Sequence, residues 1–518
     1  MLLVQVAGLF AVGVVATNSS TCTSCSLSLE SVNPLLLKME YAVRGRLLTR
    51  AGELEAELLA GKALPFKKII RCNIGNPQAL GQKPLSFVRQ VLSLVMNPDL
   101  LREDSIRQLY PADVLARAAE YVQSVPSAGA YSDSQGIRLV REDVARFIAA
   151  RDGFPADAND VYLTDGASAG VKTLMKLLVR GPEDAILAPV PQYPLYSATT
   201  TLLNGTLASY YLDESASWGV TEAELQRALE RAHASGASAR ALVVINPGNP
   251  TGQSLPRHVV EQILRFCARH SLVLMADEVY QENVYGGAPA FTSFKRALSE
   301  LRAKGDAGDA EAALAASRAQ LVSFHSTSKG FIGECGLRGG YFELQNVPSE
   351  VYEQLTKLAS VSLCSNVVGQ FATGLMVRPP RSGEPSYDRY SSERAAILAS
   401  MYARAQLIAK HLNGLPGITC NPAEGAMYLF PRVHLPPKAI AAASAAGFAA
   451  ADEWYCIRLL EATGLVVVPG SGFGQADGTF HFRTTFLPQQ PDLEVVLPLL
   501  TTFQNAFMNQ YAGGKDEV

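Results

Sequence analysis

From Val161 onward the sequence repeats one unit: a short apolar run, a polar loop, then an amphipathic helical stretch. That repetition constrains the fold more than any other feature of the chain. VYLT (161–164), AILA (185–188), ALVVIN (241–246), LVLMA (272–276) and QLVSFHS (320–326) are short, apolar and rich in β-formers. Runs of this length without a clean polar face read as strands buried on both sides, as in parallel sheets whose crossovers place helices on each face. Segments such as LPRHVVEQILRFCARH (255–270) supply those helices. The expected class is α/β, a large domain with a mostly parallel sheet covered by helices. Residues 302–320 are Ala-rich and charged and read as a surface helix with a loose loop. The Pro/Gly-rich segment PPRSGEPSYDRY (379–390) closes the pattern. A long helical stretch (391–415) follows, then three strand-like pieces, MYLFPRV (427–433), LVVVPGSGFG (465–474) and HFRTTFL (481–487). These predict a smaller α+β domain over 386–518, beside a large domain over 76–385 and an N-terminal arm, 33–75, contributing to the small domain.

Composition narrows the function. The 518 residues are 48% hydrophobic and 18% charged, enough apolar chain to bury sizeable cores. With 45 Lys+Arg against 48 Asp+Glu there is no basic footprint for nucleic acid. No interior stretch is long and apolar enough to span a bilayer. Cys22 and Cys25 form a CxxC with no second pair at zinc-ligand spacing, so no metal is expected. Cys72, Cys267, Cys335, Cys364, Cys420 and Cys456 read as buried thiols.

The N-terminal MLLVQVAGLFAVGVVA (1–16) is apolar and too short to span. It resembles the core of a cleavable signal without a basic start, since the first Lys or Arg is Lys38. The missing arginines also depart from a typical mitochondrial presequence. The final KDEV (515–518) resembles an ER-retention tail with a different last residue, and sequons stand at Asn18 and Asn204. Secretory entry and organelle import both stay open, and both set residues 1–32 outside the fold.

In an open parallel sheet, ligands bind beyond the carboxyl ends of the strands. After VYLT come Asp165, Gly166, Ala167 and Ser168; after ALVVI come Asn246 to Gly252, with Asn249 among them. After LVLMA come Asp277, Glu278 and Tyr280; after QLVSFH come Ser326, Ser328 and Lys329, with Arg338 further on. A glycine turn opening a helix suits a phosphate, and Ser326, Ser328 and Arg338 would contact the same group. An amine, a carboxylate and a phosphate cup on adjacent strand ends are the equipment for pyridoxal phosphate. The rival phosphate motifs are missing: GxxxxGK[ST] is absent, and PGSGFG (469–474) lacks the GxGxxG spacing.

Six blocks carry a resemblance: GAYSDSQGIRLVREDVARFIAARDG (129–153), INPGNPTGQ (245–253), ADEVYQENVY (276–285), FHSTSKGFIGECGLRGGY (324–341), GAMYLFPRV (425–433) and VVPGSGFG (467–474). From about Asn33 to Met508 the chain resembles the alanine aminotransferase family of the fold-type I, class I/II aminotransferases. The resemblance implies pyridoxal 5'-phosphate as cofactor and reversible, ping-pong amino transfer between L-alanine and 2-oxoglutarate. It implies that Lys329 binds the cofactor covalently and moves the substrate proton, and that Asp277 pairs with the ring nitrogen. Asn249 and Tyr280 would hydrogen-bond the phenolic oxygen, and Ala167, Ser168, Ser326 and Arg338 would hold the phosphate. Tyr193 would stack on the ring, and Tyr131 would reach the partner subunit's phosphate in a homodimer. Arg483, Gly75 and Asn249 would meet the substrate carboxylate, Arg483 as a planar fork. The family has an acidic residue where Asn76 stands. The alternatives on this scaffold are a glutamate:glyoxylate or other aminotransferase, or a lyase of the C–S or aminocyclopropane-carboxylate type.

Overall fold

The structure, a computed structural model, describes residues 27–41 and 45–512. The apolar N-terminal run, Cys22, Cys25, the Asn18 sequon and the KDEV tail lie outside the described residues. β1 (Ile70–Arg71) stands apart from the main sheet. That sheet has seven strands: β2 (Val161–Thr164), β3 (Asp184–Val190), β4 (Thr206–Tyr211), β5 (Ser238–Ile245), β6 (Val273–Asp277), β7 (Gln320–Ser326) and β8 (Gly340–Gln345). Their spatial order is β2-β8-β7-β6-β5-β3-β4, and β8 alone runs opposite to the other six.

Alternation along the strands feeds two cores. Leu187, Leu242, Leu274 and Leu321 point to one face, under helices Glu222–Ala234, Arg257–His270, Phe294–Asp306 and Ala310–Arg318. Ile186, Val243, Met275 and Val322 point to the other, against helices Ala167–Leu178 and Leu195–Leu202. Helix Arg257–His270 shows the local logic. Val260, Ile263, Leu264 and Cys267 recur at helical spacing and are buried, and the left-handed Ser271 ends it with its N–H on the Cys267 carbonyl. Each large apolar side chain buried this way contributes about 1.5–3 kcal/mol.

The register sets the function. Ile245 lies beside Asp277, and Asp277 beside Phe324, so β5 and β6 end level and β7 runs on only to Ser326. Whatever follows them shares one edge.

A further core joins both ends of the chain. Leu47, Ala51 and Leu54 of helix Arg46–Leu59 pack with Trp454, Tyr455 and Leu459 of helix Ala451–Thr463. The C-terminal strands are short: β9 (Ile418–Thr419), β10 (Tyr428–Leu429), β11 (Arg432–Val433), β12 (Leu465–Val466), β13 (Val468–Pro469) and β14 (Phe482–Thr485). β1 pairs in parallel with β12, while β10 and β13 flank β14 antiparallel.

Several expectations need correction. β4 and β8 were not visible as strands; β8 begins at Gly340, the second of the pair Gly339-Gly340, which masks its apolar run. Residues 302–320 are mostly exposed helix broken by a short loop, in line with the expectation. They end one helix and hold another, Ala310–Arg318, whose Ala312, Ala315 and Ala316 are small enough to bring it down onto the core. Cys335 and Cys364 are only half-buried, unlike the other four described cysteines.

On the far side of β7 and β8, Lys295 and Glu343 form an ion pair with side chains 2% and 1% exposed. Removing one partner of such a pair leaves an uncompensated buried charge. Glu343→Leu is therefore expected to destabilise the protein by about 3–5 kcal/mol, and Lys295→Met/Glu343→Leu by much less; urea denaturation of the three proteins checks this.

Candidate active site

At the end of β2, Gly166 turns the chain (φ 77°) into helix Ala167–Leu178. The first N–H groups of that helix, on Ala167 and Ser168, have no intrahelical carbonyl to meet, and the helix dipole adds positive potential there. Arg338 closes the cup, donating from Nη2 to the Asp165 carbonyl (2.8 Å) and from Nη1 to the Cys335 carbonyl (3.0 Å). A Cβ on Gly166 would lie 2.7 Å from Arg338 Nη2, so only glycine lets the guanidinium close. Ser326 braces the loop after β7, its Oγ donating to Gly339 O (3.0 Å) and accepting from Ser328 N (3.1 Å). The result is a cationic, donor-lined hollow of the kind that suits a phosphate.

Asp277 ends β6 beside it and is buried. Tyr196 donates to its Oδ2 at 2.7 Å, while Oδ1 has no partner. Burial raises the Asp277 carboxyl, opposed by the Tyr196 hydroxyl, the Val279 N–H and the Lys329 charge. An orphaned buried carboxylate oxygen asks for a cationic donor. Lys329 Nζ donates to the Gly75 carbonyl at 3.0 Å. A Cβ on Gly75 would sit 2.3 Å from the Tyr428 hydroxyl and 3.2 Å from Lys329 Nζ, so the backbone here must be bare.

Arg483, on β14, is 2% exposed. Its Cζ lies 4.3 Å from the Tyr428 ring centroid and 4.6 Å from that of Phe473. Nη1 donates to Asn249 Oδ1 (2.9 Å), Nη2 donates to the Asn73 carbonyl, and Nε is unpartnered. No carboxylate among the described residues pairs with it. Between two aromatic faces, this fork is pre-aimed at a carboxylate from outside. Tyr280 donates to the Tyr428 hydroxyl at 3.1 Å. Burial opposes ionisation of Tyr428, but Lys329, Arg483 and the Tyr280 hydroxyl outweigh it and hold the phenol below its ordinary range.

These groups line one cavity of about 280 Å³. It gathers Lys329, Asp277, Tyr280, Asn249, Ala167, Ser168, Tyr193, Ser326, Arg338, Gly75 and Arg483. Tyr131 lies apart from it, with 77% of its surface exposed. Four further tyrosine and cysteine positions escaped the sequence reading. Tyr41, Tyr428 and Cys335 line the cavity, and Tyr196 stands behind Asp277. Tyr196 is the second aromatic of PQYPLY, and Tyr428 and Cys335 sit inside quoted blocks, so a signal was present for three; Tyr41 carried none.

Residues 103–497 match the family model for aminotransferase class I and II. The chain belongs to this family. The aminotransferase is 50% identical to alanine aminotransferase 2, mitochondrial, of Arabidopsis thaliana, over 95% of this chain and 90% of that protein. It is 47% identical to glutamate–glyoxylate aminotransferase 2 of the same plant, over 94% and 98%. Its fold is similar to that of the alanine aminotransferase of Pyrococcus furiosus, with a TM-score of 0.69 at 23% identity, covering 92% of this chain and 98% of that one.

Its cofactor is pyridoxal 5'-phosphate, and the residues present fit that group. The orphaned Oδ1 of Asp277 suits a protonated ring nitrogen, the Gly166 turn a phosphate, and Lys329 the carbonyl carbon.

The aminotransferase also buries charge behind Asp277. Glu278 faces away from the cavity and accepts from Phe294 N at 2.8 Å. Arg151 grips Asp152 with two nitrogens (2.7 and 2.6 Å) and Gln281 with a third (2.7 Å), fixing the turn that carries Tyr280. Burial pushes the Glu278 carboxyl up to about 7, against Arg151 and the Phe294 N–H.

Two outcomes are expected. Gly75→Ala should cut turnover about a hundredfold or more by displacing Tyr428 and Lys329, with a thermal midpoint close to wild type; steady-state kinetics beside a melting curve checks it. The folded chain holds the Glu278 proton to about pH 7, whereas the unfolded chain releases it near pH 4.5. The folded state binds more protons across that window, so this group's contribution to stability falls as pH rises through it. Glu278→Gln should flatten that part of the stability–pH curve, measured by urea midpoints at about pH 5 and pH 7.5.

Proposed function

We propose that the protein is an alanine aminotransferase, exchanging L-alanine and 2-oxoglutarate for pyruvate and L-glutamate in two half-reactions through one site. One juxtaposition carries the reading: Lys329 Nζ, held on the Gly75 carbonyl, lines the same cavity as the Asp277 carboxylate and the buried, anion-free Arg483 fork. Pyridoxal phosphate supplies an electron sink that acidifies the Cα–H of a bound amino acid. Ala167, Ser168, Ser326 and Arg338 would hold its phosphate, Asn249 and Tyr280 its phenolic oxygen, Tyr193 its ring face and Asp277 its ring nitrogen. Arg483 binds the substrate α-carboxylate, its plane fixed by Tyr428 and Phe473. The Lys329 amine then stands as the base that takes the Cα proton and the acid that returns it.

Preference for alanine is supported by the 50% identical relative bearing that name. The exposed Tyr131 side chain supports a homodimer in which it reaches the partner subunit's phosphate. The arm 33–75 and residues 386–518 we read as one small domain beside a large domain over 76–385, from their shared core and the β1–β12 pairing. Residues 1–32 we read as an organelle-import leader, supported by the relative named mitochondrial. No helix among the described residues is long and apolar enough to cross a membrane.

The test follows pyruvate from alanine and 2-oxoglutarate with purified protein. Wild type should turn over reversibly, Lys329→Ala should fall by about ten-thousandfold or more, and Arg483→Lys should lower kcat/KM for both partners. A clear preference for glyoxylate over 2-oxoglutarate, for aspartate over alanine, or a lyase that never regenerates with an oxo acid, would overturn the assignment.

A further inference from the structure

Away from the active site, a second cavity of about 490 Å³ opens between residues 81–86, the helix Tyr387–Asn413 and the loop after β14. Three basic side chains line it, Lys83, Arg389 and Arg404, against one acidic one, Glu393. That carboxylate is already satisfied: it accepts from Ser86 N (2.9 Å), Ser86 Oγ (2.6 Å) and Arg389 Nε (3.0 Å). Lys83 and Arg404 form no ion pair among the described residues, so the cavity is left positive.

Arg404 is 6% exposed, and its guanidinium donates only to carbonyls. Nε meets Ser400 O at 3.1 Å, and Nη1 meets Leu487 O at 2.5 Å and Pro488 O at 3.0 Å. Nη2 has no partner among the described residues. Capping two carbonyls needs donors, not charge. A guanidinium taken out of water is costly unless an opposite charge offsets the loss, and here no acid of the chain does so. Burial accordingly lowers the Arg404 pKa, opposed by the Tyr285 phenol alone. We infer that this cavity is a second ligand site, which takes a small polyvalent oxyanion bearing phosphate or carboxylate groups. Arg404 forms its floor and the exposed Lys83 its rim, with Ser86 and Gln489 as neutral hydrogen-bonding groups on the walls. The walls also belong to both halves of the catalytic cavity. Gln82 donates to the Phe331 carbonyl (2.9 Å), two residues beyond Lys329. Gln489 donates to the carbonyls of Leu80 (2.9 Å) and Leu487 (3.1 Å), joining the segment after Gly75 to the one after Arg483. An anion held between Lys83 and Arg404 would tie the same two segments together.

Calorimetry on the holoenzyme tests this, with inorganic pyrophosphate and citrate titrated separately. One of them should bind at one site per chain, and which one does so distinguishes a phosphate ligand from a carboxylate ligand. Arg404→Gln keeps a donor and removes the charge, so binding should weaken about ten- to a hundredfold, as when a hydrogen bond to a charged group is lost. Lys83→Glu reverses an exposed charge without disturbing the core and should weaken binding about fivefold or more. Arg483→Lys, in the other cavity, should bind the anion as wild type does. Binding of neither anion by wild type, unchanged binding in either folded variant of the second cavity, or loss of binding in Arg483→Lys would overturn the inference. If Arg404→Gln does not fold, Lys83→Glu decides.

Discussion

The shared register of three parallel strands is the constraint on which the site depends. Because Ile245, Asp277 and Phe324 stand in register, the residues after β5, β6 and β7 emerge side by side at one edge. Asn249, Asp277 and Lys329 come from stretches of sequence far apart, yet need no further arrangement to share a cavity. The interior cores on either face fix the strands, and the strands fix the chemistry. Packing energy spent on leucines and valines thus appears at the rim as positional accuracy.

That edge alone makes only half a site. Arg483 belongs to β14, and Gly75 and Tyr41 to the segment ahead of the main sheet. The joint between the halves is made of backbone as much as side chain. Arg483 donates to the Asn73 carbonyl, and Lys329 donates to that of Gly75. Two basic side chains that line the cavity therefore hang from one short stretch, Asn73–Gly75. Backbone carbonyls are suitable anchors because they accept a hydrogen bond without adding a formal charge beside the cavity.

Much of this was legible in the sequence, for reasons tied to particular residues. The five apolar runs announce themselves because burial on both faces removes polar alternation, and their ends carry the reactive side chains. Gly75 and Gly166 were visible as glycines beside those blocks, though the need for them is steric and shows only when Tyr428 and Arg338 are in place. β4 and β8 were hidden, one by its mixed composition and the other by its glycines. Tyr41 was illegible because its place at the cavity depends on a distant contact: nothing near it in the chain points to Tyr193, 152 positions away. Tyr196 was hidden by its neighbour, since two tyrosines in PQYPLY offer the same signal and only the turn decides which one meets Asp277.

The pairing of β1 with β12 joins Ile70 to Leu465, a separation on the order of four hundred residues. During synthesis, β1 and helix Arg46–Leu59 therefore wait for their partners until nearly all of the chain has left the ribosome. Their apolar residues, Leu47, Leu54 and Ile70, must wait uncovered while the central sheet is already able to form. Closing so long a loop adds only slowly to the entropy cost, but it orders events: β1 docks on β12 late. A polypeptide built this way cannot complete its cavity until translation has passed Arg483 on β14.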